Sequence, residues 1–224
     1  MGANRFHASR PSRECVDLPR STPLKKTLRD EQKELTRQRI RRAARTLFFR
    51  KGIQNVACED IAAEAGIARA TLYLYFRNKS EILVELYNQH LYETTRIYMR
   101  LTEIKLMTPA AVTRWLKEYV DEVRANALGV NLFHADGSLD ELTHTLLIEH
   151  RASVIKILGE RFPGLALDRL NGAARKRRYC EADLLIDQIE GFCGSLARYS
   201  AHLDVNVAVK LLSERFFALI TAEI

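Results

Sequence analysis

The sequence predicts an all-α protein: an N-terminal three-helix helix-turn-helix domain followed by a larger helical domain. Three observations carry this. Apolar residues recur with helical spacing from near Leu35 almost to the C-terminus. No stretch shows the alternation of a half-buried strand, and no repeat of fixed period is visible. Glycines and prolines fall between the periodic stretches, at Gly52, Gly66, Pro109, Gly129, Gly137, Pro163 and Gly172.

Residues 1–30 contain Pro11, Pro19 and Pro23, several serines and no hydrophobic period. They are expected to form a flexible basic arm. In "LTRQRIRRAARTLFFRKG", Ile40, Ala43, Ala44, Leu47 and Phe48 make one apolar stripe, with Arg37, Arg41, Arg42 and Arg45 off it. Gly52 is expected to end this helix in a left-handed conformation, and Arg50 and Lys51 suit its negative end. "ACEDIAAEAG" reads as a short second helix stopped at Gly66. Only Ile67 and Ala68 then precede a third helix, expected over Arg69–Phe76. Its Leu72 and Phe76 are set to pack on Ile61 and Leu47. Asn78, with Glu81 three residues on, starts a long fourth helix. Further helices are expected at about 79–104, 109–127, 138–161, 181–202 and 205–222. The domain boundaries follow: arm 1–30, helix-turn-helix 31–78, helical domain 79–224.

The chain has 224 residues, 47% hydrophobic and 28% charged, with a formal charge of +7. The charge is unevenly divided. Residues 1–79 hold 18 Lys/Arg against 8 Asp/Glu, a balance of +10, whereas residues 80–224 hold 17 against 20. A positive field confined to one third of the chain suits a polyanion partner. No apolar run approaches the ~20 residues of a membrane helix, and the N-terminus lacks the apolar region of a secretory signal. Cys15, Cys58, Cys180 and Cys193 are widely spaced, so neither a disulfide framework nor a zinc site is suggested. A cytoplasmic setting is expected, with no cofactor and no metal.

The stretch "RATLYLYFRNKSE" (69–81) sets rings and hydroxyls between basic residues. With Leu72 and Phe76 turned to the core, Arg69, Ala70, Thr71, Tyr73, Leu74 and Tyr75 are left nearer the other surface. An α-helix fits the major groove of B-DNA, where Arg pairs with guanine and small apolar groups meet the thymine methyl. Thr and Tyr hydroxyls donate to phosphate oxygens. Lys79 sits at the start of the next helix, which also favours a phosphate. The competing reading makes Tyr73 and Tyr75 half-buried packing residues.

Residues 36–83, "TRQRIRRAARTLFFRKGIQNVACEDIAAEAGIARATLYLYFRNKSEIL", resemble the N-terminal domain of the tetracycline-repressor (TetR) family. The resemblance rests on Ile40, Ala43, Ala44, Leu47, Phe48, Gly52, Asp60, Ile61, Ala62, Ala65, Gly66, Ile67, Thr71, Leu72, Tyr73, Tyr75, Phe76 and Lys79 in order and at the family's spacing. It implies a homodimeric transcriptional regulator, usually a repressor, released from a palindromic operator in double-stranded DNA by a small-molecule effector. It implies that Arg69 and Ala70 read bases, that Tyr73 and Lys79 hold phosphates, and that the second helix contributes from around Glu59. Two departures stand out. Ala57 and Ala68 occupy positions where the family commonly caps a helix with Thr or Ser, and Leu74 replaces a residue that is often polar. The basic arm either enters the adjacent minor groove or is dispensable.

The resemblance says little about residues 105–224. There, Gly191, Gly194 and Ala197 form a small-residue strip, and Val209, Leu212 and Phe216 repeat along the last helix. With their symmetry mates these helices are expected to form a four-helix dimer interface, the alternative being internal packing. By family analogy Tyr92, Trp115, Tyr119, Phe133, His134, Leu146, His150 and Phe162 are candidates to line an effector cavity, with core packing as the alternative for each. Arg175–Arg178 in "AARKRRYCE" are expected in a solvated inter-helix loop. An enzyme is not expected: no H-E-x-x-H, G-x-S-x-G or P-loop is present, and neither His134 with Asp136 nor Glu149 with His150 has a second half. A ligand-independent or activating DNA-binding protein would share every N-terminal feature.

Overall fold

The computed structural model describes residues 27–125, 141–198 and 203–223, and every regular element within them is helical. The helices are α1 (Leu28–Lys51), α2 (Cys58–Glu64), α3 (Arg69–Tyr73), α4 (Lys79–Glu103), α5 (Pro109–Ala125), α6 (Glu141–Gly159), α7 (Gly172–Arg198) and α8 (Val205–Thr221). Two 3₁₀ turns, Pro163–Leu165 and Leu167–Arg169, join α6 to α7. Most of the expected arm, the breaks at Gly129 and Gly137, and the candidates Phe133 and His134 lie outside the described residues.

Three expectations are corrected. First, α1 begins at Leu28, not near Leu35, so residues 28–30 of the expected arm are helical. Its first turns are polar and exposed, and apolar periodicity cannot register them. A capping box sets the start: the Thr27 hydroxyl accepts from the Asp30 N–H, and the Asp30 carboxylate accepts from the Thr27 N–H, both at 3.2 Å. Second, α3 stops at Tyr73. Asn78 caps α4 in extended backbone, accepting from the Glu81 N–H at 2.9 Å, so the chain must leave the helix before it. Phe76 still reaches the core from the turn that follows. Third, Arg175–Arg178 are helical, in the early turns of α7. Their charged side chains carry no apolar signal, and Arg177 supports the helix through Glu181 at i+4, 2.9 Å away.

The turn between α2 and α3 is built by backbone chemistry. Ile67 N–H reaches the Ala62 carbonyl and Gly66 N–H the Ala63 carbonyl, both at 3.0 Å, which closes a Schellman motif. Gly66 sits at φ +63, where any side chain would be strained. Gly52, after α1, also has positive φ, at +78 with ψ 151, a region almost restricted to glycine.

Two apolar cores result. The first joins Ile40, Ala44, Leu47 and Phe48 of α1, Ile61 of α2, Leu72 of α3, Phe76, and Ile82 and Leu86 of α4. The second fills the helical body, with Tyr98, Trp115, Tyr119 and Phe216 as a ring cluster. Trp115 stacks on Phe216 with centroids 5.6 Å apart, and Tyr98 lies 5.4 Å from Trp115. Helix α4 serves both cores, giving its first half to one and Ile97, Tyr98 and Leu101 to the other.

Candidate functional site

Helix α3 is held from behind by Leu72, fully buried, and by Phe76, buried just beyond the helix. That leaves Arg69, Ala70, Tyr73 and Leu74 exposed on the far side, with Leu74 at 83% and Tyr73 at 42% exposure, and Thr71 and Tyr75 half-buried. Tyr75 also packs against the N-terminal core, so for this tyrosine the packing role is present. Glu59 is exposed on α2. Arg69 ties the two short helices together: its guanidinium pairs with Glu59 Oε1 at 2.8 Å and lies 5.7 Å from the centre of the Tyr73 ring. The hydrogen bond to Tyr73, then the charge of Glu59, holds this guanidinium above its ordinary pKa. The cation is thus held at the exposed rim of α3 with Glu59 as its partner, and its remaining N–H groups stay open to solvent on a side chain 65% exposed.

Lys79 is half-buried and donates to the Ile53 carbonyl at 2.6 Å, tying the start of α4 to the loop between α1 and α2. Neither Ala57 nor Ala68 makes a side-chain cap bond, although both adopt extended cap backbone. Asp60 supplies half of the missing box at α2, accepting from the Ala57 N–H at 2.9 Å.

Sequence reasoning missed the arginines that position this surface. Arg39 donates from α1 to the Ala65 and Gly66 carbonyls at 2.7 and 3.1 Å, holding the turn of the motif. Arg37 lies 4.6 Å from the Phe76 ring centre and hydrogen-bonds Glu85, which also pairs with Arg41 at 2.8 Å. These arginines link α1 to the helix-turn-helix and to α4. Their places off the apolar stripe were legible; their partners, 26 to 48 residues away, were not.

The other candidates divide sharply. Trp115 and Phe162 are core residues, and the buried Trp115 Nε1–H donates to the Ile97 carbonyl at 2.8 Å. Tyr92 is 65% exposed, on the rim of a wide groove along α4. Leu146 packs against the N-terminal core. Tyr119 and His150 do meet at a cavity of about 150 Å³ between α4, α5, α6 and α7. Gly191 and Gly194 line the same cavity. The side chain of Ala197 lies outside the described residues. Val209 and Phe216 are buried in the protomer's own core, and Leu212 packs against it, because α8 lies across α5. The outward faces of α7 and α8 instead expose Leu184, Val207 and Leu211.

Around the cavity, burial first and the charge of Glu190 second raise the Tyr98 and Tyr119 phenols and the Cys193 thiol well above their ordinary ranges. The same two causes push Tyr87 up to about 12. Among the described residues no group of three or more His, Cys, Asp or Glu side chains is placed to hold a metal ion. No described helix is long and apolar enough to cross a membrane.

Residues 40–86 match the family described as bacterial regulatory proteins, tetR family. An HTH-type transcriptional regulator of Staphylococcus aureus (strain USA300) is 42% identical over 55 residues, which is 25% of this chain and 29% of the relative's length. Solved structures resemble the chain far beyond that stretch. A TetR-like transcriptional regulator from Rhodococcus sp. RHA1 aligns over 82% of this chain and 94% of its own, with TM-score 0.59 and 18% identity. The fatty acid degradation regulator FadR from Bacillus halodurans covers 81% and 94%, with TM-score 0.60 and 15% identity. Thermus thermophilus FadR, a repressor solved with lauroyl-CoA, covers 82% and 92%, with TM-score 0.53 and 20% identity. At these identities the structural likeness is one of fold.

Proposed function

We propose that this chain is a TetR-family member and acts as a homodimeric, sequence-specific DNA-binding transcriptional regulator: a repressor that a small-molecule effector releases from a palindromic operator. One observation carries the reading. A short helix pinned by Leu72 and Phe76 exposes Arg69, Ala70, Tyr73 and Leu74 on the positively charged third of the chain. In this reading Arg69 and Ala70 face base edges and Leu74 meets a thymine methyl. Thr71, Tyr73, Tyr75 and Lys79 hold phosphates, and Glu59 sets the orientation of Arg69. Residues 31–78 are the reading head, while residues 79–224 serve effector binding and dimerisation. The chain works in the cytoplasm and catalyses no reaction.

Two copies are needed because a palindrome presents its half-sites ~34–36 Å apart. The exposed faces of α7 and α8, with Leu184, Gly191, Val207 and Leu211, are the natural seam. Helix α4, shared by both cores, would transmit effector binding to the reading head, since an effector acts by binding one dimer geometry more tightly than the other.

The test is selection from a random duplex pool, followed by affinity measurements between about 50 and 200 mM salt. A palindromic consensus bound with steep salt dependence is expected; absence of salt-sensitive affinity for any duplex would end the reading. A ligand-independent or activating regulator is distinguished by operator binding with and without a metabolite pool extracted from the source cells.

A further inference from the structure

The outward face of α3 carries two rows of side chains. Residues four apart share a helix face, so Arg69 stands with Tyr73, and Ala70 stands with Leu74. The first row is cationic and hydroxylated: Arg69 pairs with Glu59 at 2.8 Å and lies over the Tyr73 ring. The second row is wholly apolar. Ala70 is exposed, and Leu74, at 83% exposure, stands clear of the protomer. Its direction is fixed. Leu74 keeps helical backbone, with φ −72 and ψ −19, and its N–H donates to the Thr71 carbonyl at 3.2 Å. Leu72 and Phe76, two residues to either side, are both buried and so turn Leu74 outward.

A single exposed leucine on a solvated face is ordinary. On a face that enters the major groove it is selective, because base edges there display donors, acceptors and one kind of apolar group, the C5 methyl of thymine. A leucine set against a donor or an acceptor strips water from it and returns no hydrogen bond. Ala70 and Leu74 have no donor or acceptor in their side chains, so the row matches only a methyl-bearing pyrimidine. We propose that the Ala70–Leu74 row reads the C5 methyl group itself, so that 5-methylcytosine is bound in preference to cytosine at the position Leu74 meets. Leu74 makes the main contact, a role that rests on the DNA-binding reading above. Thymine and 5-methylcytosine carry the same methyl on the same ring carbon, and deoxyuridine and cytosine lack it. Methylation of an operator cytosine at that position therefore tightens binding without any effector.

The experiment is fluorescence-anisotropy titration of the full chain with the selected operator and with duplexes in which each thymine is singly replaced by deoxyuridine. A thymine is expected in each half-site whose methyl matters. Removing it should weaken binding roughly fourfold, the worth of one buried methyl-sized group, and roughly fifteenfold when both half-sites are changed. At the same position 5-methylcytosine should bind roughly fourfold more tightly than cytosine. Leu74→Ala should bring both ratios below about twofold, which assigns the methyl effect to this side chain. Because Leu74 is exposed, the variant should melt as the native chain does. Equal affinity for thymine and deoxyuridine at every position, no preference for 5-methylcytosine over cytosine, or a methyl effect that survives Leu74→Ala would overturn the proposal. Salt-sensitive operator binding in those cases would leave the DNA-binding reading standing, whereas absence of affinity for any duplex would overturn both.

Discussion

The two cores that share α4 are of different kinds. Around its first half, the buried side chains are aliphatic, alanine, Phe48, Phe76 and Tyr87, and the arginines and glutamates that link α1 to α4 stay at the rim. Around its second half, rings are packed together, and Thr94, His150 and Ser213 are buried. A core of apolar groups specifies one rigid arrangement, and the chemistry of the reading head lies outside it, on α3. A core with buried polar groups carries its chemistry inside, at the cavity beside His150 and Glu190. The contrast separates a domain whose polar chemistry is on its surface from one with polar groups enclosed.

The largest expected effect tests the body. Phe216→Ala removes a ring stacked on Trp115 and should cost about 3–5 kcal/mol of stability in denaturant unfolding. Because Phe216 is internal to the protomer, the loss should not depend on protein concentration; a concentration-dependent loss would return this residue to the dimer seam. Leu72→Ala applies the same deletion to the other core and should cost about 2–5 kcal/mol. If unfolding is followed by Trp115 fluorescence, a separate earlier transition reported only by far-UV circular dichroism would show that the two cores melt independently.

Arg69→Ala is expected to leave the melting temperature nearly unchanged, since the side chain is exposed, and to weaken binding to the selected operator by about 1–3 kcal/mol with relaxed specificity at one position. Uniform weakening across all sequences would make Arg69 a phosphate contact instead. Ala57→Thr supplies the missing cap acceptor of α2 and should raise stability by about 0.5–2 kcal/mol. An unchanged melting temperature would mean that Asp60 already satisfies this helix end.

The smallest effect concerns the rim. Burial raises the Glu85 carboxyl, but hydrogen bonds and charge from Arg37 and Arg41 outweigh it and hold the group below the ordinary carboxylate range. A carboxyl depressed in the folded state contributes stability above its unfolded pKa and loses it as pH falls through the folded value. The stability gap between the native chain and Glu85→Gln should therefore be present at neutral pH and be lost as acid titrates the carboxyl, from the ordinary carboxylate range downward. Solvent screening keeps it under about 1 kcal/mol. A gap that widened in acid would contradict the ion-pair network.

Much of the reading head was legible because its determinants are local. The stripe from Ile40 to Phe48 and the pair Leu72 and Phe76 lie within a few turns, and both proved to be core. Gly66 marks a turn that glycine alone adopts without strain. Legibility failed where periodicity had nothing apolar to register: in the first turns of α1, set by Thr27 and Asp30, and in the early turns of α7. It failed differently for the rings. Trp115, Tyr119, Phe162 and Tyr92 look alike in sequence, yet they fall respectively in the core, at the cavity, in the core and on the surface.

By itself the sequence determined the helical class, the order of the short helices and the face that α3 turns outward, since each depends on residues within a few turns of one another. Tertiary structure alone decided that Val209 and Phe216 face inward, that Arg37, Arg39 and Arg41 brace the reading head, and that His150 meets Glu190 across a cavity. Those outcomes depend on which helices lie side by side, and contact between residues tens of positions apart leaves no period in the chain.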